Sequence, residues 1–459
     1  MSDAQWRRAM TRYDIDDHDW DSLKGGAREL SHVLKERVAA DPARFAQLAM
    51  QLTADLNPAY VDAILMGLGE TAVDVEPALI FAAIRHIVSV GDVDNDRWLG
   101  IALRGHYARA PIDLVQLVLD HSLNSTDPAD NTPVIIRNGG DGQRAEDLRM
   151  NGINSARGSL AVALGDLLVY DADGQRTELV RPHLQELAGD PVLSVRSCVA
   201  HTIAASLRHA RPDAIVAFQK LIEVDDVLLA ADSVQGLMLY IGNVNPEVID
   251  PVIQRMLASQ YDEAREAGGQ LAAYAALEWQ RPALMAQALG VDAHVRKGAA
   301  HVCASRVDRT SNSELAAESL VQLMNDVDDD VHKAAAEVAP RLRGEALRPF
   351  AMLLEALIDS PAYKHATPQL LLTLQYAPDK VDDLVLKAAQ RFLTVYGREA
   401  ADIRTGAAGD AHYVSELVVR GLAQSRDRAH RAALLDVLDL LLELGVYGIG
   451  EAIADFERL

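Results

Sequence analysis

An all-α superhelical solenoid of about a dozen helix pairs is the fold class this sequence predicts. Three observations predict it: an apolar content carried by Ala and Leu, apolar residues at helical spacing, and a motif that returns every thirty to forty residues. The chain has 459 residues, 49% of them hydrophobic but only 5% aromatic. Ala and Leu are strong helix formers, whereas strands favour β-branched and aromatic side chains. Leu434, Leu435, Leu438, Leu441 and Leu442 fall on one side of a helical wheel, with Asp436, Asp439 and Glu443 on the other. The same spacing recurs at 160–168, 215–222 and 315–323. The best strand candidate, VIIR at 134–137, is short.

The repeat is the stronger signal. LAGDPVLSVRSCVAHTIAASL surrounds Arg196, GVDAHVRKGAAHV surrounds Arg296, and NDVDDDVHKAAAEV surrounds His332. Looser copies are MNGINSARGSLAVAL around Arg157 and IDSPAYKHATPQLL around Lys364. The steps are 39 residues from Arg157 to Arg196, 36 from Arg296 to His332 and 32 on to Lys364. The 100 residues between Arg196 and Arg296 fit three units, with interior marks near Ala231 and at Arg265. One helix pair cannot bury its own apolar face, so such units stack. Asp190, Asp326 and Asn151 each precede the basic position by six residues and are expected to cap the second helix. Pro191 suits a turn or a first helical position. DPARFAQLAMQL and NPAYVDAILMGL read as helices that start at a proline. Ala200, Ala204, Ala299, Ala300, Ala334 and Ala335 would let neighbouring second helices approach closely.

This Asp…Val-Arg arrangement resembles the HEAT repeat family, most clearly from about residue 145 to 375. The resemblance implies an Asp/Arg ladder along the stack, with Asp190 and Arg196, and Asp292 and Arg296, as members. The match departs at His332, where Arg is replaced, and at Ala231, where it is absent. Four regions are expected within one continuous solenoid: N-terminal helical repeats at 1–121, a long irregular loop or insertion at 122–158, central HEAT-like repeats at 159–396, and a C-terminal helical cap at 397–459.

Charge narrows the function. The net charge is −23, and of 44 basic residues only 8 are Lys. Such an excess opposes binding to nucleic-acid backbones and to anionic membranes. The two cysteines, Cys198 and Cys303, imply no disulfide framework, so a cytoplasmic location is expected. No uninterrupted apolar stretch reaches the length of a membrane helix. The opening segment has no signal-peptide core.

Catalytic motifs are missing. There is no phosphate-binding G-x-x-x-x-G-K-S/T loop, no H-E-x-x-H and no G-x-S-x-G. Cys198 and His201 share one helix face, as His301 and Cys303 share another helix. Their separation by about three repeats excludes one zinc site. Asp171, Asp173 and Gly174 with Glu178, and likewise Asp94, Asn95 and Asp96, read as turns with capping Asp, since calcium-loop spacing fails. Asp326–Asp330 reads as an inter-helix turn, and the Asp-rich stretch from Asp14 to Asp21 as a solvated acidic segment. The expectation is a non-catalytic binding protein with no cofactor and no metal. Its candidate partner-binding residues are Arg137, Arg144, Arg149, Asn154 and Arg157, of which the four arginines concentrate positive charge in an acidic chain and suit an acidic or phosphorylated partner.

QWRRAMTRYD with GGARELSHVL and DPARFAQLAMQL, NGINSARGSLAVALGDLL, and the stretch from GDAHYVSELVVRGL to IADFER together resemble the C-terminal helical region of large bacterial STAND-type ATP-binding defence proteins. That resemblance implies a scaffold or sensor in anti-phage defence or signalling, with protein partners such as an ATPase, nuclease or protease encoded nearby. The ATPase module has no counterpart here, so nucleotide chemistry is not carried over. The chain is then either a piece of a larger ATPase or a standalone relative. Two alternatives stand beside this reading. One is an enzyme on HEAT-like repeats, of the DNA glycosylase or bilin lyase type, although the glycosylase version needs clustered Lys and Arg. The other is a purely structural subunit.

Overall fold

The computed structural model describes residues 1–15, 25–53, 55–71, 73–90, 96–132, 145–446, 449–450 and 453. Among them there are α-helices and 3-10 turns and no strand. The chain forms two compact units, Met1–Asn245 and Pro246–Leu459. This division falls inside the expected central block 159–396. Among the described residues, no helix is long and apolar enough to cross a membrane.

The first unit begins with α1 (Asp3–Arg12), whose Ser2 and Gln5 form a reciprocal cap. It continues with α2 (Ala27–Ala40), α3 (Pro42–Ala49), α4 (Pro58–Gly69), α5 (Pro77–Val90), α6 (Asp96–Ala102) and α7 (Ile112–Asn124). Then come α8 (Ala145–Ile153), α9 (Ala156–Val169), α10 (Gln175–Val180), α11 (Leu184–Ala188), α12 (Leu193–Ser206), α13 (Arg211–Leu221) and α14 (Asp232–Gly242). The expected starts at Pro42 and Pro58 are observed, and Asn57 Oδ1 accepts from the Ala59 amide at 2.9 Å. Helices α2, α4, α6, α9, α12 and α14 pack one on the next. Helices α3 and α5, and further on α7, α11 and α13, pack behind them. Being covered on several sides, α9 buries Leu160, Ala161, Ala163, Leu164, Leu167 and Leu168 and shows no single apolar stripe.

Over its described parts the stretch expected to be irregular at 122–158 is helical at both ends, while residues 125–132 form no helix. Residues up to Asn124 complete α7, residues 145–153 form α8, and α9 starts at Ala156. Helix α8 leaves the two-layer pattern and lies on α12, α9 and the 3-10 turn at 226–230. Gly152 seats it there: a β-carbon at that position would fall 2.3 Å from the Ser194 carbonyl oxygen and 2.5 Å from Cys198 Sγ. The expected strand candidate at 134–137 lies outside the described residues.

The second unit comprises α15 (Pro246–Leu257), α16 (Asp262–Glu278), α17 (Ala283–Ala288), α18 (Ala293–Arg306), α19 (Ser313–Leu323), α20 (Asp329–Ala336) and α21 (Val338–Arg341). It ends with α22 (Ala351–Asp359), α23 (Tyr363–Gln375), α24 (Asp382–Tyr396), α25 (Gly406–Gln424) and α26 (Arg428–Leu444). Helices α16, α18, α20, α23 and α25 pack in succession, with α19, α22, α24 and α26 behind. The approach of α16 to α18 requires glycine, since a β-carbon at Gly269 would lie 2.0 Å from the Val295 carbonyl oxygen. Of the small residues expected at such contacts, Ala200, Ala299, Ala300, Ala334 and Ala335 are buried.

Three local expectations change. The irregular point at 397–413 narrows, because α25 already begins at Gly406, with Thr405 as its cap. The apolar face of α26 is narrower than its five leucines suggest: Leu434, Val437 and Leu441 are buried while Leu435, Leu440 and Leu442 are exposed. Capping also moves. Ser155 caps α9, Asp292 caps α18 and Asp328 caps α20. Asn151 lies inside α8 and donates to the Asp147 carbonyl, while Asp190 and Asp326 accept amides two residues on, at Val192 and Asp328. These two carboxylates close the inter-helix turn and so face the arginines of the preceding repeats.

Candidate binding cleft and the arginine ladder

The recurring geometry of the repeats rests on an arginine near the start of several second helices, those of Arg157, Arg196, Arg265 and Arg296, and its pairing is offset from the expected one. Arg157 on α9 donates from Nε to Asp190 Oδ2 at 2.8 Å. Arg265 Nε on α16 lies 3.0 Å from Asp292 Oδ2. Arg296 on α18 is bidentate to Asp326, at 2.6 and 3.0 Å. Each of these three arginines therefore pairs with the aspartate of the following repeat. The expected partnership of Asp190 with Arg196 and of Asp292 with Arg296 is corrected on this point. Within its own repeat the guanidinium takes backbone carbonyls, to which Arg265 adds Asp262 and Arg157 adds Asp130. Arg196 Nε donates to the Asp190 carbonyl at 2.6 Å, Arg265 to the Ser259 carbonyl at 2.8 Å, and Arg296 to the Gly290 carbonyl at 3.0 Å. One planar donor group thus closes its own turn and grips the next, which the fork of five N–H groups permits and an ammonium does not.

The electrostatics follow. Burial pushes the Asp326 carboxyl up, but Arg296 and the Asp328 amide outweigh it and hold it below the ordinary value. Arg296 is raised, chiefly by its bond to Asp326. Arg196 has carbonyl partners only, and burial lowers it. At His332 the ladder changes chemistry: Nε2 meets the Asp326 carbonyl at 2.6 Å and so replaces the contact inside the repeat.

A second set of arginines has no ion-pair partner among the described residues. In the first unit α6, the 3-10 turn at 104–109, α8 and α9 enclose a cleft of about 320 Å³. Arg97, Trp98, Arg104, Arg149, Asn154 and Asp166 are among its lining. Among the described residues, none of the three guanidiniums has a carboxylate within ion-pair distance. Arg97 stacks on the Trp98 ring, 4.3 Å from its centroid, and the indole N–H has no acceptor among the described residues. Asp166 is engaged by His201 Nε2 at 2.9 Å. Arg97 and Trp98 also line an adjoining cleft of about 530 Å³ with Arg28, His32 and Lys35. The combination presents cationic forks beside an aromatic face, which suits carboxylates held on an extended chain.

The sequence-predicted binding residues separate. Arg149 is exposed and lines the cleft, as does Asn154, whose amide donates to the Met150 carbonyl at 2.7 Å. Arg157 is corrected: it is buried in the ladder, where Asp190, the Ser125 carbonyl and Asp130 take its donors, so no partner reaches it. Arg137 and Arg144 lie outside the described residues. Sequence reasoning passed over Arg97, Trp98 and Arg104, although DRWLGIALRGHYAR at 96–109 sets three arginines beside two aromatic residues in a chain poor in aromatics.

The remaining candidates take structural roles. Cys198 is buried, which pushes its thiol up to about 12, and His201 pairs with Asp166. Nucleophile activation requires the opposite shift. Cys303 is likewise raised to about 12 by burial, and His301 meets Glu337 at 2.9 Å. Asp171 organises its turn, accepting from the amides of Gly174 and Thr177 and from the Thr177 hydroxyl. Asp94 and Asn95 lie outside the described residues. Of the Asp326–Asp330 turn, Asp329 and Asp330 belong to α20.

Fold and ladder together define an all-α helical-repeat protein. No protein-family pattern matches the chain, and no curated protein matches it. Among solved structures it is similar to a chain from the study of Kap95p binding, which induces the switch loops of RanGDP to adopt the GTP-bound conformation. That likeness has 11% identity and a TM-score of 0.36, over 99% of this chain and 63% of that one. The chain thus spans about 63% of that protein's length. It is also similar to an engineered protein, at 12% identity and a TM-score of 0.33, over 96% of this chain and 99% of that one.

Proposed function

We propose that this chain is a non-catalytic binding protein whose first unit receives an acidic segment of a protein partner in the cleft of Arg97, Arg104 and Arg149. The observation that carries the reading is the contrast in partners. The buried arginines of the ladder hold carboxylates or carbonyls, whereas these three line a cleft without any carboxylate partner among the described residues. A net charge of −23 confines attraction for acidic chains to such local patches. The resemblance to the helical region of STAND-type defence proteins supports a sensor or scaffold role in a bacterial defence complex.

The test is capture of partners from infected and uninfected host lysate by the full chain and by an Arg97→Glu/Arg149→Glu variant, followed by titration of each captured protein. Charge reversal is expected to weaken the specific partner at least about tenfold, the loss of one or more charge-assisted contacts. Equal affinity of both forms for every partner would overturn the reading.

A further inference from the structure

We propose that Asp329, His332 and His365 bind a borderline divalent transition-metal ion, of which Zn²⁺ is the type, and that the ion joins α20 to α23 where the arginine ladder stops. One ligand atom from each of the three residues lies within 4.8 Å of the other two. His365 Nε2 is 2.7 Å from Asp329 Oδ1, and His332 Nδ1 is 4.0 Å from the same oxygen. A tetrahedral zinc site, with bonds near 2.0–2.2 Å, sets its ligand atoms about 3.3 Å apart. These two spacings bracket that value, and the third, from His332 to His365, lies within 4.8 Å, so the two imidazoles close by at most about 1.5 Å to complete the site.

The orientation of His332 is the independent observation. Its Nε2 is committed to the Asp326 carbonyl at 2.6 Å. As a carbonyl only accepts, Nε2 carries the proton and the Nδ1 lone pair faces Asp329. Metal-binding imidazoles are held in this way, one nitrogen on a carbonyl and the other on the ion. His332 is buried and Asp329 exposed, so the site has a fixed floor and an open fourth position. Lys333 Nζ sits 3.1 Å from Asp329 Oδ2 and leaves Oδ1 to the ion. When the ion enters between Asp329 and His365, the proton on His365 Nε2 is released or moves to Nδ1. Two imidazoles favour Zn²⁺, Co²⁺ or Ni²⁺ over Mg²⁺ or Ca²⁺, which take oxygen ligands.

The experiment uses the full chain, free of any affinity tag and stripped with a chelator. Zn²⁺ is titrated calorimetrically and Co²⁺ by its visible absorption, with Mg²⁺ as control. One equivalent per chain is expected, with a Co²⁺ spectrum of tetrahedral or five-coordinate type. His332→Gln and His365→Gln should each weaken binding about tenfold or more, and Asp330→Asn should leave it unchanged. The side chain of His365 is partly exposed and its replacement is compatible with folding, so that variant decides if His332→Gln fails to fold. Absence of saturable binding, or undiminished binding by His365→Gln, would overturn the proposal.

Discussion

Arg149 and Arg157 stand eight residues apart on consecutive helices, and the protein uses them in opposite ways. Arg157 is buried, with its donors on Asp190, Asp130 and the Ser125 carbonyl. Arg149 is exposed at a cleft and has no carboxylate beside it among the described residues. The difference teaches that in a helical repeat the position of an arginine, more than its presence, decides whether it supports the stack or remains available to a partner. An arginine in the first turn of a second helix, as Arg157 is, reaches the next inter-helix turn. One on a helix laid across the stack does not.

The largest effect expected from breaking this division is in the ladder of the second unit. Asp326→Ala leaves Arg296 buried without its carboxylate, and both side chains are largely covered, at 12% and 8% exposed. Removing one partner of such a pair destabilises by about 3–5 kcal/mol, which urea unfolding would read. A loss below about 1 kcal/mol would show that the ladder is incidental.

A smaller effect sharpens the same comparison through pH. Asp326 and Asp410 are both shielded from water, but only Asp326 has a cationic partner. Its folded value lies below the ordinary 3.8, so its stabilisation is present above that value and is lost as pH falls through the folded one. Asp410 is raised to about 6 by burial. The sign reverses: its contribution is present below 3.8 and is lost as pH rises through about 6. Asp410→Asn should therefore stabilise the protein at pH above about 7 by under about 1 kcal/mol once solvent screening is allowed for, and should have little effect below about 4. Thermal unfolding of the two proteins across this range checks the prediction, and a gain confined to acid would refute it.

Much of the fold was legible because its marks are local. Asp190 and Arg196 stand within a few residues of each other, as do Asp292 and Arg296, and the apolar spacing at 160–168 is a property of one helix. The partner of each arginine was not legible, because pairing depends on the offset between successive repeats, which sequence spacing leaves undefined. The α8 helix was hidden by the Asn- and Gly-rich composition around it, as its seat depends on Gly152 fitting under Ser194 and Cys198. Of the residues that line the cleft, the sequence reading had singled out Arg149 and Asn154. Arg97, Trp98 and Arg104 lie some fifty residues earlier and join them only through the packing of α6 on α9. The histidine cluster was missed for a similar reason: Asp329 and His332 are one helical turn apart, but His365 comes from the next repeat.

The most direct test of the division between supporting and available arginines is urea unfolding of Arg149→Ala and Arg157→Ala side by side. Arg157→Ala leaves Asp190 buried without its guanidinium and should lose about 3 kcal/mol or more. Arg149→Ala should stay within about 0.5 kcal/mol of the parent, as a surface substitution does. Equal losses, or a larger loss from Arg149→Ala, would contradict the account.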